Sequence, residues 1–122
     1  MSYEQNGGER AEAAPPASED RSPVYAGRLE VRPADHAALV DGRPLTLTVR
    51  ELELLTELAQ NAERVMTREE LYSRIWRRSH RRSDRSVDVY VGRLRAKLER
   101  ALPGRRFIHT HIGIGYRFSP DG

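Results

Sequence analysis

The chain has 122 residues and no cysteine, which limits it to one domain with tails and excludes a disulfide framework or a thiol-ligated metal site. No apolar run approaches the roughly 18 residues that span a bilayer, and the start MSYEQNGGER lacks the features of a signal peptide. We therefore expect a cytoplasmic protein with no membrane partner. The net charge of +3 hides an asymmetry, because residues 77–117 carry twelve Lys/Arg against three acids. A local excess of this size attracts polyanions.

Residues 1–23 are rich in Glu, Ala, Pro, Gly and Ser and carry two arginines against five acids. Because this segment shows no apolar period, we predict a disordered tail or interdomain linker, followed by one domain over residues 24–122. The next segments, GRLEVRP, HAALVDG and RPLTLT, alternate partially and are separated by turn residues. Asp41-Gly42 is a hairpin signal, so three short antiparallel strands are predicted.

Two capping boxes predict the first two helices. Thr48 precedes Glu51 by three residues, and Thr67 precedes Glu70 in the same way. The first helix is expected to fade near Asn61. Its buried stripe is predicted to comprise Leu52, Leu55, Leu58, Ala59 and Ala62. The second, shorter helix is expected to run through Leu71, Ile75 and Trp76. The few residues AERV are interpreted as a connection between the two helices.

A third helix is predicted from about Asp84 to Leu102, after the basic loop RRSHRRS and before Pro103-Gly104. Its apolar stripe recurs at helical spacing, at Val87, Val91, Leu94 and Leu98. Val89 lies on the opposite side, and its neighbours there are Arg85, Gly92, Arg93 and Ala96. A glycine costs about 1 kcal/mol against alanine inside a helix, so Gly92 suggests close approach to a ligand.

Such a face suits the major groove of double-stranded DNA. Arg93 could pair with guanine, Val89 could cover a thymine methyl and Asp88 could accept from cytosine N4. The flanking residues Arg85, Tyr90, Arg95 and Lys97 are predicted to hold phosphates, and the Trp76 indole could also reach one. An interface with a protein partner is the alternative. The two would differ in salt dependence, because only binding to phosphates releases counterions.

The C-terminal segment FIHTHIGIGYRF reads as two β-prone runs around a Gly-x-Gly bend, which predicts a hairpin. His109-x-His111 could chelate a metal ion, and GIGY weakly suggests a phosphate loop. No acid lies nearby in the sequence to complete a metal site, and an isolated Gly-x-Gly is usually a turn. Neither catalysis nor a cofactor or metal is therefore expected. The overall class predicted is α+β.

Three segments resemble a known family. LTLTVRELELLTELAQNAERVMTREELYSRIW, RSVDVYVGRLRAKLE and IHTHIGIGYRF look like the signatures of the OmpR/PhoB-type winged-helix effector domain of bacterial two-component response regulators, over about residues 26–118. The resemblance implies an N-terminal antiparallel sheet, three helices with the third as recognition helix, and a C-terminal hairpin wing. It also implies transcriptional regulation through promoter DNA, bound by a free monomer that forms a head-to-tail pair on direct repeats.

Carried over by position, the resemblance implies roles for individual residues. Base contacts fall on Ser86, Asp88, Val89 and Arg93. Phosphate contacts fall on Trp76, Arg85, Tyr90 and Arg95. The segment with Arg77, Arg78, Arg81 and Arg82 matches a loop that often faces RNA polymerase, although it could equally grip the DNA backbone.

The sequence departs from the family in two places. Many members have Val-Arg-Gly in the wing, whereas this chain has His111-Ile112-Gly113. Ile112 cannot donate a hydrogen bond, so we expect an altered minor-groove contact, with Arg117, His109 or His111 contributing. The family's receiver domain is also absent. The chain is therefore expected to be the effector part of a longer regulator, a free-standing member, or part of a larger antibiotic-pathway regulator.

Overall fold

The computed structural model describes residues 21–77 and 86–120. Within these residues the fold is α+β, with an N-terminal sheet, three helices and a smaller C-terminal sheet. The strands are β1 (Val24–Ala26), β2 (Leu29–Arg32), β3 (Ala37–Val40), β4 (Arg43–Pro44), β5 (Val65–Thr67), β6 (Ile108–His111) and β7 (Gly115–Phe118). The helices are α1 (Val49–Gln60), α2 (Arg68–Trp76) and α3 (Ser86–Ala101). Of the tail or linker predicted over residues 1–23, residues 1–20 lie outside the described residues.

The N-terminal sheet is antiparallel with strand order β1-β2-β3-β4. The predicted turn at Asp41-Gly42 is confirmed, since Val40 pairs with Arg43 across it. Both turn residues have positive φ, 54° and 79°, as tight hairpins require. The sheet differs from prediction at both edges: β1 was missed, and only two residues of RPLTLT pair as a strand.

Helix α1 begins at the predicted capping box. The Glu51 amide donates to Thr48 Oγ1 at 3.2 Å, and the Thr48 amide donates to Glu51 Oε1 at 2.8 Å. The buried apolar residues of α1 are Leu54, Leu55, Leu58 and Ala59. Two members of the predicted stripe were wrong: Leu52 is only partly buried, and Ala62 is exposed beyond the helix end. Leu54 is buried because α1 packs on two sides, against the N-terminal sheet and against α3.

Helix α2 also begins at its predicted capping box, with Thr67 and Glu70 bonded reciprocally at 3.0 Å. The residues just before it are a strand rather than a simple connection. This strand, β5, pairs antiparallel with β7, so the C-terminal sheet has the order β5-β7-β6. Gly115 of β7 faces β5 so closely that an added Cβ would lie 1.9 Å from the Met66 carbonyl oxygen.

Helix α3 places its predicted stripe in the core, with Val87, Val91, Leu94 and Leu98 all buried. The helix ends at Ala101, one residue earlier than predicted, although the Leu102 amide still donates to the Leu98 carbonyl at 2.8 Å. Asp84 lies outside the described residues. Sixteen helical residues span roughly 24 Å. No helix in the described part of the chain is long and apolar enough to cross a membrane.

The predicted C-terminal hairpin is confirmed as β6 and β7, which we call the wing together with its turn. The Ile114 amide donates to the His111 carbonyl at 2.9 Å, and Gly113 in the turn has φ +78°. Phe107 and Phe118 of this region join the core that the helices share. This packing holds the wing beside α3, so the two elements lie next to each other at the candidate site.

Candidate nucleic-acid interface

The outward side of α3 forms a ridge of small, apolar and basic residues. Val89 is 46% exposed, and Gly92, Arg93 and Ala96 are exposed beside it. An added Cβ at Gly92 would meet nothing within 4 Å. Space around the backbone at this position therefore lies open to a ligand. The outward face predicted for α3 is therefore present, and the buried apolar stripe lies on the opposite side of the helix.

Arg93 is exposed and its guanidinium lies 5.1 Å from the Tyr90 ring centroid. A cation over an aromatic face keeps its hydrogen-bond donors available at the edge of the guanidinium plane. Ser86, the first residue of α3, is half-buried. Arg93 and Val89 are thus presented outward as the sequence predicts, and their contacts to bases stay predictions.

Asp88 is engaged within the protein. Its Oδ1 accepts from Arg68 Nε at 2.8 Å and from the Tyr116 hydroxyl. The guanidinium groups of Arg68 and Arg95 also contact the Tyr116 ring, at 5.2 and 5.5 Å from its centroid. The Asp88 hydrogen bond raises the pKa of Arg68, and burial followed by the Asp88 bond raises the pKa of Tyr116. We call Arg68, Asp88, Arg95 and Tyr116 the Tyr116 clamp.

Trp76 belongs to an aromatic cluster between α2 and α3. Its ring stacks on Tyr72 with centroids 5.1 Å apart and meets the Tyr90 ring edge-on at 5.5 Å. Arg50 of α1 lies over the indole at 5.4 Å and donates to the Ile75 carbonyl. Trp76 and Tyr90 are half-buried, so part of each residue stays accessible.

Two predicted phosphate ligands already have protein partners. Arg95 donates to the Ile108 carbonyl at 2.9 and 3.2 Å and to Thr110 Oγ1 at 2.6 Å. Burial lowers its pKa. Lys97 Nζ lies 2.6 Å from Glu51 Oε1, and the Glu51 side chain is 2% exposed. Burial alone would raise the pKa of Glu51, but hydrogen bonds from Lys97 and the Thr48 amide leave it lowered. Their phosphate contacts stay predictions.

The wing presents an apolar tip above a polar base. Ile112 is 92% exposed and Ile114 is 53% exposed. Arg117 Nε donates to His111 Nε2 at 3.1 Å, and Arg117 Nη1 donates to Glu63 Oε1 at 3.1 Å. His109 is half-buried, and its Nε2 has no hydrogen-bond partner among the described residues. The tip therefore offers aliphatic surface, while Arg117 lies at the base of the hairpin.

The basic segment is only partly described. Arg77 is exposed and ends α2 with a left-handed conformation at φ +61°. Arg78, Arg81, Arg82 and Arg85 lie outside the described residues, so their predicted contacts are not tested. Within residues 21–77 and 86–120 no group of three potential metal ligands occurs. The possible His109-x-His111 pair has one imidazole nitrogen occupied, since His111 accepts from Arg117.

Three residues around the site were not identified from the sequence: Arg50, Arg68 and Tyr116. Arg68 and Asp88 are 20 positions apart, and Tyr116 and Asp88 are 28 apart. Helical periodicity assigns a residue to a face but does not reveal which distant residue meets it. The signal that could have found Arg68 is its position at the start of α2, where a basic residue is unfavourable beside the helix dipole unless it is paired.

Curated relatives of the chain are transcriptional regulators. RegX3 of Mycolicibacterium smegmatis, named a sensory transduction protein, is 34% identical over 101 residues, which cover 83% of this chain and 44% of the relative. VxrB of Vibrio cholerae, named a transcriptional regulatory protein, is 38% identical over 104 residues, covering 85% and 40%. The chain spans less than half the length of these relatives.

Solved structures show the same architecture. The RstA DNA-binding domain of Klebsiella pneumoniae, crystallised in complex with the RstA box, matches with a TM-score of 0.72 and 31% identity, covering 80% of this chain and 97% of that one. The DNA binding domain of CpxR from E. coli matches with a TM-score of 0.73 and 30% identity, covering 80% and 95%. The family profile described as "Transcriptional regulatory protein, C terminal" matches residues 42–118. The chain therefore belongs to this family, the OmpR/PhoB-type winged-helix effector domains.

Proposed function

We propose that this chain binds a specific double-stranded DNA sequence through α3 in the major groove and thereby regulates transcription. The observation that carries the proposal is the outward ridge of α3, where Val89 and Arg93 flank an open backbone at Gly92. A recognition helix that enters the major groove places exposed residues of this kind against the edges of the bases. The DNA complex of the similar RstA domain supports this choice.

Individual roles follow from what each side chain already contacts. Arg93 and Val89 are proposed to read bases, because both are exposed on the ridge. Ser86, at the start of the helix, is proposed as a further base contact. Trp76 and Tyr90 are proposed to hold a phosphate through the indole N–H and the phenol hydroxyl. Arg95 is proposed to contact a phosphate only through those guanidinium N–H groups that are not bonded to β6.

The larger assembly is also proposed from family membership. Residues 1–23 would be a tail or a linker, and a receiver domain is proposed as a partner because the relatives RegX3 and VxrB are more than twice as long as the segment that they share with this chain. Binding as a head-to-tail pair on direct repeats, and contact of residues 77–83 with RNA polymerase, belong to the same proposal. We propose binding rather than catalysis as the activity, and a cytoplasmic location because promoter DNA is the proposed ligand.

The first test selects bound sequences from a random DNA pool and then measures affinity for the recovered site and for a scrambled duplex at several salt concentrations. The expected result is one recurrent motif, with log K falling against log salt at a slope of about −0.9 per phosphate contacted. A direct repeat spaced near one helical turn would support the proposed pair. Recovery of no motif, together with a flat salt dependence, would refute DNA reading.

The second test uses Arg93→Ala with Arg43→Ala as its matched control. Each variant removes one positive charge, but Arg43 lies on β4 in the N-terminal sheet. Arg93→Ala should cost about 1 to 3 kcal/mol on the selected site and relax preference at one base pair. Arg43→Ala should leave that preference intact. Equal losses for the two variants on every duplex would show that Arg93 supplies only charge.

A further inference from the structure

The Tyr116 clamp joins three elements that a DNA-binding winged helix must keep in register. Arg68 is the first residue of α2, Asp88 and Arg95 lie on α3, and Tyr116 lies in β7 of the wing. We infer that Asp88 and Tyr116 are positioning residues that hold the wing against α3, so that both meet DNA as one rigid unit. The inference rests on the proposed function and gives Asp88 a different role from base reading.

Two hydrogen bonds of the clamp converge on one carboxylate oxygen. Asp88 Oδ1 accepts from Arg68 Nε at 2.8 Å and also from the Tyr116 hydroxyl. The side chains of Arg68 and Asp88 are 27% and 29% exposed, and Tyr116 is 5% exposed. Bonds that involve charged groups are about twice as strong as neutral ones. The carboxylate therefore links α3 to α2 and to β7 through partly buried interactions.

A second connection attaches the other strand of the wing. Arg95 donates to the Ile108 carbonyl and to Thr110 Oγ1, both on β6, while its guanidinium contacts the Tyr116 ring. Each strand of the hairpin is thus bonded to a different turn of α3. Two attachment points along one helix restrict rotation of the wing about either point alone.

These contacts oppose a role for Asp88 in reading cytosine. A carboxylate that turned toward a base with this oxygen would break an ion pair with Arg68 and leave the buried Tyr116 hydroxyl without its acceptor. Leaving a buried donor unsatisfied costs free energy comparable to the gain from a new hydrogen bond. A rigid wing, by contrast, lowers the entropy lost on binding, because its orientation is set before DNA arrives.

The test compares Tyr116→Phe, Asp88→Asn and the double variant, with Tyr25→Phe as control. Tyr25 is 66% exposed on β1, so its hydroxyl can be removed without touching the clamp. Tyr116→Phe keeps the ring and should weaken binding to the selected site and to a scrambled duplex by the same factor, roughly fivefold. The double variant should lose no more than the worse single variant, because both substitutions weaken the same interaction between Asp88 and Tyr116.

Two binding results would overturn the inference: a loss for Asp88→Asn confined to duplexes that carry one particular base pair, or independent losses that multiply in the double variant. A third measurement uses the free protein. Amide order parameters of residues 111–115 should fall in Tyr116→Phe while those of α3 stay unchanged, and Tyr25→Phe should alter neither. Unchanged order in the wing would also overturn it. If the unaltered protein bound no duplex, the proposed function would fail, but the order parameters would still show whether the clamp holds the wing against α3.

Discussion

Lys97 is a basic residue of α3 for which a role in stability and a role in DNA binding predict different results. The sequence predicts a phosphate contact, whereas the structure pairs its ammonium with Glu51, whose side chain is 2% exposed. We expect Lys97→Ala to destabilise the domain and to leave the salt dependence of DNA binding unchanged. The reason is that the substitution leaves a buried carboxylate without its cation.

The expected loss of unfolding free energy follows from how deeply Lys97 and Glu51 are each buried. Breaking a fully buried ion pair costs about 3 to 5 kcal/mol. Here the Lys97 side chain is 29% exposed and the Thr48 amide still donates to Glu51, so we expect a loss of about 2 to 3 kcal/mol. A domain of this size loses about 4 to 8 °C in Tm per kcal/mol, which corresponds to a fall of roughly 10 to 20 °C.

The same pair predicts a dependence on pH. The folded state lowers the pKa of Glu51, so the stabilisation by this group is present above the pKa that it has in the unfolded chain. It is lost as the pH falls through the lower pKa of the folded state. Unfolding free energy should therefore decline with acid below about pH 4.3 in the unaltered protein, and this decline should be shallower in Lys97→Ala.

The assay is thermal unfolding followed by circular dichroism between pH 3 and pH 7, with DNA affinity measured against salt on the same preparations. Arg100→Ala is the control, because Arg100 is an exposed cation in the last turn of the same helix. Its Tm should change little. The reasoning would be refuted if Lys97→Ala matched that control in stability while its salt slope became shallower by about one contact.

Three further variants probe the ridge, the core and the wing. Gly92→Ala should stabilise the free domain by about 0.5 to 1 kcal/mol in urea unfolding, since its Cβ meets nothing, yet weaken binding to the selected site; unchanged affinity would contradict close backbone approach. Leu94→Ala should cost roughly 2 to 5 kcal/mol of unfolding free energy, because Leu94 is fully buried. Gly115→Ala should cost about 1 to 3 kcal/mol or more, because its Cβ would overlap the Met66 carbonyl; a wild-type Tm would show that β5 can move aside.

Much of the fold could be predicted from short-range patterns. The capping boxes at Thr48 and Thr67, the turn at Asp41-Gly42 and the stripe of α3 all occur where predicted. Each depends on residues that lie at most eleven positions apart in the chain, so the backbone propensities and the apolar period act locally. The outward ridge could be predicted for the same reason, because the face opposite a buried stripe is exposed.

The partners of charged side chains were decided by the tertiary structure. Strand β5 is short and pairs only because β7 lies beside it, and α1 buries Leu54 because it packs on two sides. Lys97 meets Glu51 across 46 positions, and Asp88 meets Tyr116 across 28. A sequence pattern assigns a basic or acidic residue to a face, but its energy depends on the burial and distance of the group that it meets. The sequence by itself therefore determined which face of α3 points outward as the proposed DNA-binding ridge, and only the packing of the wing, α1 and α2 around α3 decided which of its charged side chains stay unpaired with other protein groups.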